Sequence, residues 1–262
     1  MTIRAVFFGT PSFALPTLEA LHQSDSINLL GVLTQPDRPS GRGKQLHPPP
    51  VKEWALPHDL DLLQPASLKE PEVMSWLERH APDVIVVVAY GGYVPKTVRE
   101  MTRFGCVNLH PSLLPRYRGA APIRWAIMRG DRMTGNTTMY LAQGWDAGDI
   151  IYQVEEPIHP SDTYDSLSDR LAEKGAALVV KTLIDLEQGK APRTPQSEEG
   201  VVFAPLIQNE DTRIDWNVPA IEIHNKVRGL HSIPGAFTVL DDMRLKILRT
   251  DVLPFSSERK PG

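Results

Sequence analysis

One cysteine in 262 residues, Cys106, excludes an intramolecular disulfide. It lies in an apolar strand-like run, where a small buried hydrophobe is commoner than a reactive thiol. No apolar run approaches the ~20 residues of a membrane helix, and the N-terminus lacks the basic stretch and long apolar core of a secretory signal. A soluble protein of the cytoplasm or an organelle matrix is expected. Gly-x-Gly-x-x-Gly is absent, which removes the dinucleotide fingerprint. The eight histidines form neither His-x-His nor His-Glu-x-x-His, so no metal is implied.

What is present is 41% hydrophobic content over a length sufficient for one large core plus a smaller module. The most informative stretch is Asn108-Leu109-His110-Pro111-Ser112-Leu113-Leu114-Pro115, directly after the apolar Phe104-Gly105-Cys106-Val107. In an extended segment, positions two apart project from one face, so the Asn108 amide and the His110 imidazole can aim at one reacting carbon. Pro111 and Pro115 prevent helix or central strand beyond, which leaves Ser112, Leu113 and Leu114 as a short stiff loop able to wall a flat ligand. A second strand candidate, Thr137 to Leu141, runs into the turn Gly144-Trp145-Asp146-Ala147-Gly148-Asp149. A carboxylate that reaches an imidazole holds its tautomer and supports the imidazolium. Amide, imidazole and carboxylate together suit acyl-type transfer, whereas each alone reads as an ordinary turn or strand-end residue.

The pattern along the chain is that of an α/β protein. Ile3 to Phe8 and Leu29 to Thr34 read as parallel strands around an amphipathic helix from about Ala14 to His22. Val84 to Ala89 is nearly continuous aliphatic sequence, as in a central strand covered on both faces, and runs into Tyr90-Gly91-Gly92, where main chain can approach a planar ligand. Pro36 to Pro50 reads as a long surface loop carrying Arg42 and Lys44 between glycines. Helices are predicted at Ile123 to Arg129 and Thr163 to Gln188. Residues 1–189 are expected to form a first domain, 190–209 a polar linker and 210–262 a second module. That module should hold a helix near Pro219 to Leu230 and strands near Ala236 to Leu240 and Leu245 to Leu248, joined at Asp241-Asp242.

Net charge is −4, yet residues 36–52 carry +3 and 116–132 carry +4, leaving −11 on the rest. Basic loops on an acidic body suit a local polyanion such as a nucleic acid end, because phosphate attraction is short-ranged and salt dependent. Ordinary solvated loops would look similar.

The chain resembles the methionyl-tRNA formyltransferases, within the folate-dependent formyltransferases. The matching stretches are Phe8 to Ala14, Thr34 to Pro39 with Gly41 to Lys44, Val88 to Gly91, Asn108 to Pro115, Arg116 to Ile123 and Asp146 to Asp149. Asn108 to Pro115 and Asp146 are shared across the superfamily and imply formyl transfer. Gly41 to Lys44 and Arg116 to Ile123 resemble the tRNA-acting branch. The resemblance implies a Rossmann-like, mostly parallel sheet domain followed by a small β-rich domain like an oligonucleotide-binding fold. Such a barrel needs about five strands, and the two or three available here make it incomplete. It implies 10-formyltetrahydrofolate as cosubstrate without metal, initiator methionyl-tRNA as acceptor, and catalysis by Asn108, His110 and Asp146. Ser112, Leu113, Leu114, Pro115, Val88, Tyr90 and Gly91 would contact folate, and Arg38, Arg42 and Lys44 would contact tRNA. No membrane partner is expected, and the chain is expected to be a monomer.

Four positions depart from that pattern: Asn136 in a strand, bulky Trp145 in the second turn, Leu206 in place of a lysine, and His231-Ser232-Ile233-Pro234 without an aromatic residue before the proline. Two rival readings follow. A sugar-nucleotide N-formyltransferase would keep the same trio but not need the basic loop, and a non-catalytic folate or tRNA binder would fit an incomplete second domain.

Overall fold

The computed structural model describes residues 2–40 and 45–253. Its elements, in chain order, are β1 (Ile3–Gly9), α1 (Leu15–Gln23), β2 (Ile27–Leu33), β3 (Arg38–Ser40), β4 (Gln45–His47), α2 (Pro50–Ala55), β5 (Asp61–Leu63), α3 (Pro71–His80), β6 (Val84–Val88), α4 (Lys96–Arg99) and β7 (Cys106–His110). They continue with α5 (Pro122–Met128), β8 (Met133–Tyr140), β9 (Ile150–Pro157), α6 (Tyr164–Glu187), α7 (Ala220–Leu230), β10 (Ala236–Leu240) and β11 (Met243–Ile247). The chain divides into two compact units. One comprises Met1–Pro111, Asn136–Val154 and Ala172–Ser197, and the other Ser112–Gly135, Glu155–Leu171 and Glu198–Gly262.

The first unit is built on a seven-stranded sheet in the order β5-β2-β1-β6-β7-β8-β9. Strands β5, β2, β1, β6 and β7 pair in parallel, and β8 joins β7 antiparallel. The two-residue period of a strand sorts the apolar side chains between two cores. Ala5, Phe7, Val84, Val86, Val107 and Leu109 pack with Leu18 and Leu21 of α1 and Val179 and Leu183 of α6. Val6, Phe8, Ile85, Val87 and Cys106 pack on the other face with Val73, Trp76 and Leu77 of α3. All five residues of β6 are buried, which explains its unbroken aliphatic sequence. Full burial contributes roughly 1.5–3 kcal/mol for each large apolar side chain, so both helical layers are held firmly to the sheet.

Strand order reverses between β1 and β6, because the chain goes from β1 outward to β2 and then returns to the other side of β1. Open parallel sheets bind ligands at such a switch point, beyond the carboxyl ends of the strands. Thr10 and Tyr90 follow those two ends, and the Thr10 hydroxyl donates to the Tyr90 carbonyl at 2.8 Å. The expected loop 36–50 is instead partly ordered as an antiparallel pair, with Arg38 opposite His47 and Ser40 opposite Gln45. Main-chain pairing of β3 with β4 satisfies groups that a plain loop would leave to solvent.

In the second unit α5 packs on α7, where Gly229 permits close approach: a Cβ there would lie 2.8 Å from Met128 Cγ. Ile214, Val227, Leu230 and Ala236 form its small core. β10 and β11 form an antiparallel hairpin across Asp241 and Asp242, both at positive φ (47° and 60°), as a tight two-residue turn requires. Residues 190–209 are more than a linker. Thr194 pairs with Ile150 in the first unit, and Arg118 pairs with Phe203 in the second.

Candidate active site

Asn108 and His110 occupy the last turn of the pleat in β7, on one face, while Val107 and Leu109 enter the opposite core. Leu109 is pinned by α6, where a Cβ on Gly175 would stand 2.6 Å from its Cδ2. The strand therefore cannot roll, and both polar side chains stay directed to the other side. They are nearly buried, at 8% and 4% exposure. β8 runs alongside, with Thr137 opposite His110 and Met139 opposite Asn108.

After β8 the chain folds back sharply. Tyr140 N–H donates to the Asp149 carbonyl at 3.0 Å, and Gly148 passes so close that a Cβ would lie 1.7 Å from the Tyr140 carbonyl oxygen. This return carries Asp146, at φ 47°, to within 3.6 Å of His110, measured from Oδ2 to Nδ1. That separation is slightly longer than a hydrogen bond, and a closure of a few tenths of an ångström would complete one.

Beside these groups, at the switch point, Tyr90 is buried against the Phe8 ring at a centroid distance of 5.8 Å. Burial pushes its phenol up to about 12 although a hydrogen bond with Gln35 acts the other way, so it stays a neutral hydroxyl. Gly91, at φ 79°, is exposed and has nothing within 4 Å of where a Cβ would be, leaving its main chain accessible to a flat ligand. Val88 is fully buried within the α1 and α6 core, so any ligand contact from it goes through main chain. Of the proposed folate loop, Ser112 and Leu114 are buried in the second unit while Leu113 and Pro115 are partly exposed. The loop is closed on itself by the Ser112 hydroxyl donating to the Arg116 carbonyl at 2.7 Å.

The basic windows are less free than their charge suggests. Lys52 is paired with Asp37 at 2.8 Å, and Gln64 donates to the same carboxylate at 2.9 Å. Those two donors, Lys52 first, hold the Asp37 carboxyl below its usual range. Arg38 is exposed and donates to Gln35 Oε1 at 2.9 Å. Arg42 and Lys44 lie outside the described residues. In the second unit Arg116 pairs with Asp131 at 2.9 Å, Arg118 is buried beside Glu198, and Arg124 donates to the Gly229 and Ile233 carbonyls. Much of the 116–132 charge is thus committed to internal contacts. Among the described residues no group of three His, Cys, Asp or Glu could hold a metal ion, and no helix is long and apolar enough to cross a membrane.

Residues 3–183 match the family described as Formyl transferase, and residues 206–262 match Formyl transferase, C-terminal domain. The chain belongs to the formyl transferase family. It is 45% identical over 260 residues to a methionyl-tRNA formyltransferase of Syntrophus aciditrophicus, covering 99% of this chain and 83% of that one. To another, from Pelobacter propionicus, it is 47% identical over 247 residues, covering 94% and 77%. Among solved structures, a 4-N formyltransferase from Francisella tularensis superposes with a TM-score of 0.74 at 15% identity, covering 96% of this chain and 99% of that one. HypX from Aquifex aeolicus in complex with tetrahydrofolic acid superposes at 0.68 with 20% identity, covering 93% and 37%. These two likenesses concern the fold.

Within this formyl transferase fold, three residues that sequence reasoning passed over bear on the site. Arg193 donates to the Asp149 carboxylate at 2.7 Å, Thr194 exchanges two main-chain hydrogen bonds with Ile150, and the Gln196 side-chain amide donates to the Asp146 and Gly148 carbonyls, both at 2.7 Å. They fall in the stretch read as a linker, where a polar composition carries no sign of which residue will meet which turn. The departures from the pattern sort differently. Asn136 is buried within β8, Trp145 is 76% exposed on the turn, Leu206 is exposed, and His231 pairs with Asp165 at 2.9 Å.

Proposed function

We propose that this chain transfers the formyl group of 10-formyltetrahydrofolate to the α-amino group of methionine on initiator tRNA. The observation that carries the reading is the approach of Asp146 to His110 beside Asn108, at the carboxyl edge of a formyl transferase sheet. The relatives named as methionyl-tRNA formyltransferases, which match 99% and 94% of this chain, support the choice of acceptor. The folate would lie at the switch point along Val88, Tyr90 and Gly91. Bound there, it supplies an activated formyl carbon.

The acceptor amine has an ordinary pKa of roughly 8, so part of it is neutral at physiological pH and can attack without a strong base. The harder tasks are stabilising the oxygen as charge develops and moving protons. Asn108 carries N–H donors suited to that oxygen. His110, with Nδ1–H directed to Asp146, would present Nε2 as acceptor for the proton that the attacking nitrogen gives up and return it to the folate nitrogen as the bond from that nitrogen to the formyl carbon breaks, releasing tetrahydrofolate and the formylated amine. Asp146 would hold that tautomer and stabilise the imidazolium. Near-burial of Asn108 and His110 strengthens these polar effects.

Residues 1–189 would carry the chemistry and 210–262 would form the tRNA-facing module, with Arg38, Arg42 and Lys44 meeting phosphate. The test is single-turnover transfer of labelled formyl from 10-formyltetrahydrofolate, with charged initiator tRNA, charged elongator methionine tRNA and a nucleotide-linked amino sugar as parallel acceptors. Transfer to initiator tRNA above the other two is the expected result. Preference for the amino sugar, or folate binding without transfer, overturns the reading.

A further inference from the structure

Asp146 stands at positive φ on a turn whose geometry is set from outside. Three consecutive tethers from residues 193–196 hold it: the Arg193 guanidinium on the Asp149 carboxylate, Thr194 main chain on Ile150, and the Gln196 amide on the carbonyls of Asp146 and Gly148. The first two would secure almost any turn at this place. The third is different in kind, because both N–H groups of one side chain are spent on the carbonyl of the aspartate itself and on the carbonyl two residues later. Those two acceptors fix the Asp146–Ala147 and Gly148–Asp149 peptide planes, and the first of these bears directly on the direction in which the Asp146 carboxylate leaves the chain. Gln196 also lies 3.9 Å from Met139 Sδ, on the strand that pairs with Asn108, so it spans from the sheet to the turn. This strap lies between the two family matches, which end at 183 and resume at 206.

We infer that Gln196 is a positioning residue for formyl transfer, acting through the main-chain carbonyls of Asp146 and Gly148 to keep the Asp146 carboxylate within reach of His110. The inference rests on the reading of Asp146 as the partner of the catalytic imidazole. Its loss leaves folate and tRNA contacts in place, so the effect falls on kcat and not on KM. Displacement of a catalytic group by about 1 Å costs up to ~10²-fold. A Gln196 variant that folds should therefore lose between about 10-fold and 100-fold in kcat, with both KM values changed by less than about twofold.

The experiment compares Gln196→Leu, Asp146→Asn and the double variant in the full chain, by single-turnover formylation of charged initiator tRNA, with circular dichroism to establish folding. Gln196→Glu serves as a second probe: it keeps the volume, presents no N–H donor at neutral pH, and sets a carboxylate against two carbonyls, so it should lose at least as much as Gln196→Leu. Because Gln196 acts through Asp146, the Gln196→Leu penalty should shrink to within about twofold in the Asp146→Asn background, a non-additivity that a general stability defect does not produce. Wild-type kcat in either folded Gln196 variant, a loss confined to KM, or penalties that multiply in the double variant would overturn the inference while leaving the catalytic reading intact. Undiminished transfer by Asp146→Asn alone would instead overturn the catalytic reading.

Discussion

Replacing Gly148 by alanine tests whether the return from β8 controls the proposed chemistry. The added Cβ would lie 1.7 Å from the Tyr140 carbonyl oxygen and 3.3 Å from the Ala142 nitrogen. Both neighbours are main-chain atoms, so no side-chain rotation relieves the clash. Recovering the 3.4 Å of ordinary contact requires the two arms of the turn to part by the difference, about 1.7 Å, and Asp146 lies only two residues away. Starting from 3.6 Å, the His110–Asp146 separation would pass well beyond hydrogen-bonding reach. Misplacement on that scale costs on the order of 10²-fold in rate. The strain itself should destabilise by about 1–3 kcal/mol, the usual range for overpacking, or a midpoint drop of roughly 2–12 °C in a chain of this size. Single-turnover formyl transfer at saturating substrates and a thermal melt measure the two effects side by side. A Gly148→Ala protein with wild-type turnover and wild-type midpoint would refute the reasoning, since it would mean that the turn can move without disturbing the carboxylate.

Asn108→Ala should lower single-turnover transfer by roughly 10²- to 10³-fold with modest loss of folate affinity, and near-normal transfer would remove this amide from the chemistry. Arg42→Ala should weaken tRNA use and flatten its dependence on salt while leaving folate binding unchanged, and an unaltered salt slope would show that this side chain meets no phosphate. Burial raises the Asp162 carboxyl, but hydrogen bonds from Arg170, the His159 amide and Ser166 outweigh it and hold the pKa below 3.8. A carboxyl depressed in the folded state contributes stability above its unfolded pKa and loses it as pH falls through the folded one. Asp162→Asn should therefore cost about 2–3 kcal/mol at pH 7, discounted for partial exposure of Arg170, and the gap to wild type should narrow below about pH 4. Melts at several pH values would show a constant gap if the ion pair were not its source. Burial pushes the Cys106 thiol up to about 12, so a thiol reagent at neutral pH should label the native protein only as fast as it opens, and rapid stoichiometric labelling would contradict that burial.

That Asn108 and His110 share one face was readable from sequence because a strand makes spacing equivalent to direction: two residues apart is the same face, whatever packs above it. The parallel core was legible for a similar reason, since Val84 to Val88 is apolar at every position and only a strand covered on both faces asks for that. The glycine-flanked turn around Asp146 was legible, but its 3.6 Å approach to His110 was not. Gln196 left no mark at all: a glutamine between Pro195 and Ser197 has the composition of any connecting segment, and its two carbonyl partners lie some fifty residues earlier. The charge windows misled in part, because a count of residues 116–132 cannot register that Arg116 is spent on Asp131 and Arg124 on main-chain carbonyls.

By itself, then, the order of residues determined the local geometry: which side chains share a strand face, where prolines stop regular structure, and which aliphatic runs must be covered. Only the tertiary structure decided which turn meets which strand, which arginines remain available, and which distant amide holds the aspartate in place. The physical reason is range. Backbone sterics and strand periodicity act over a few residues and are written in consecutive positions, whereas hydrogen bonds and ion pairs join groups brought together by burial of surfaces far apart in the chain.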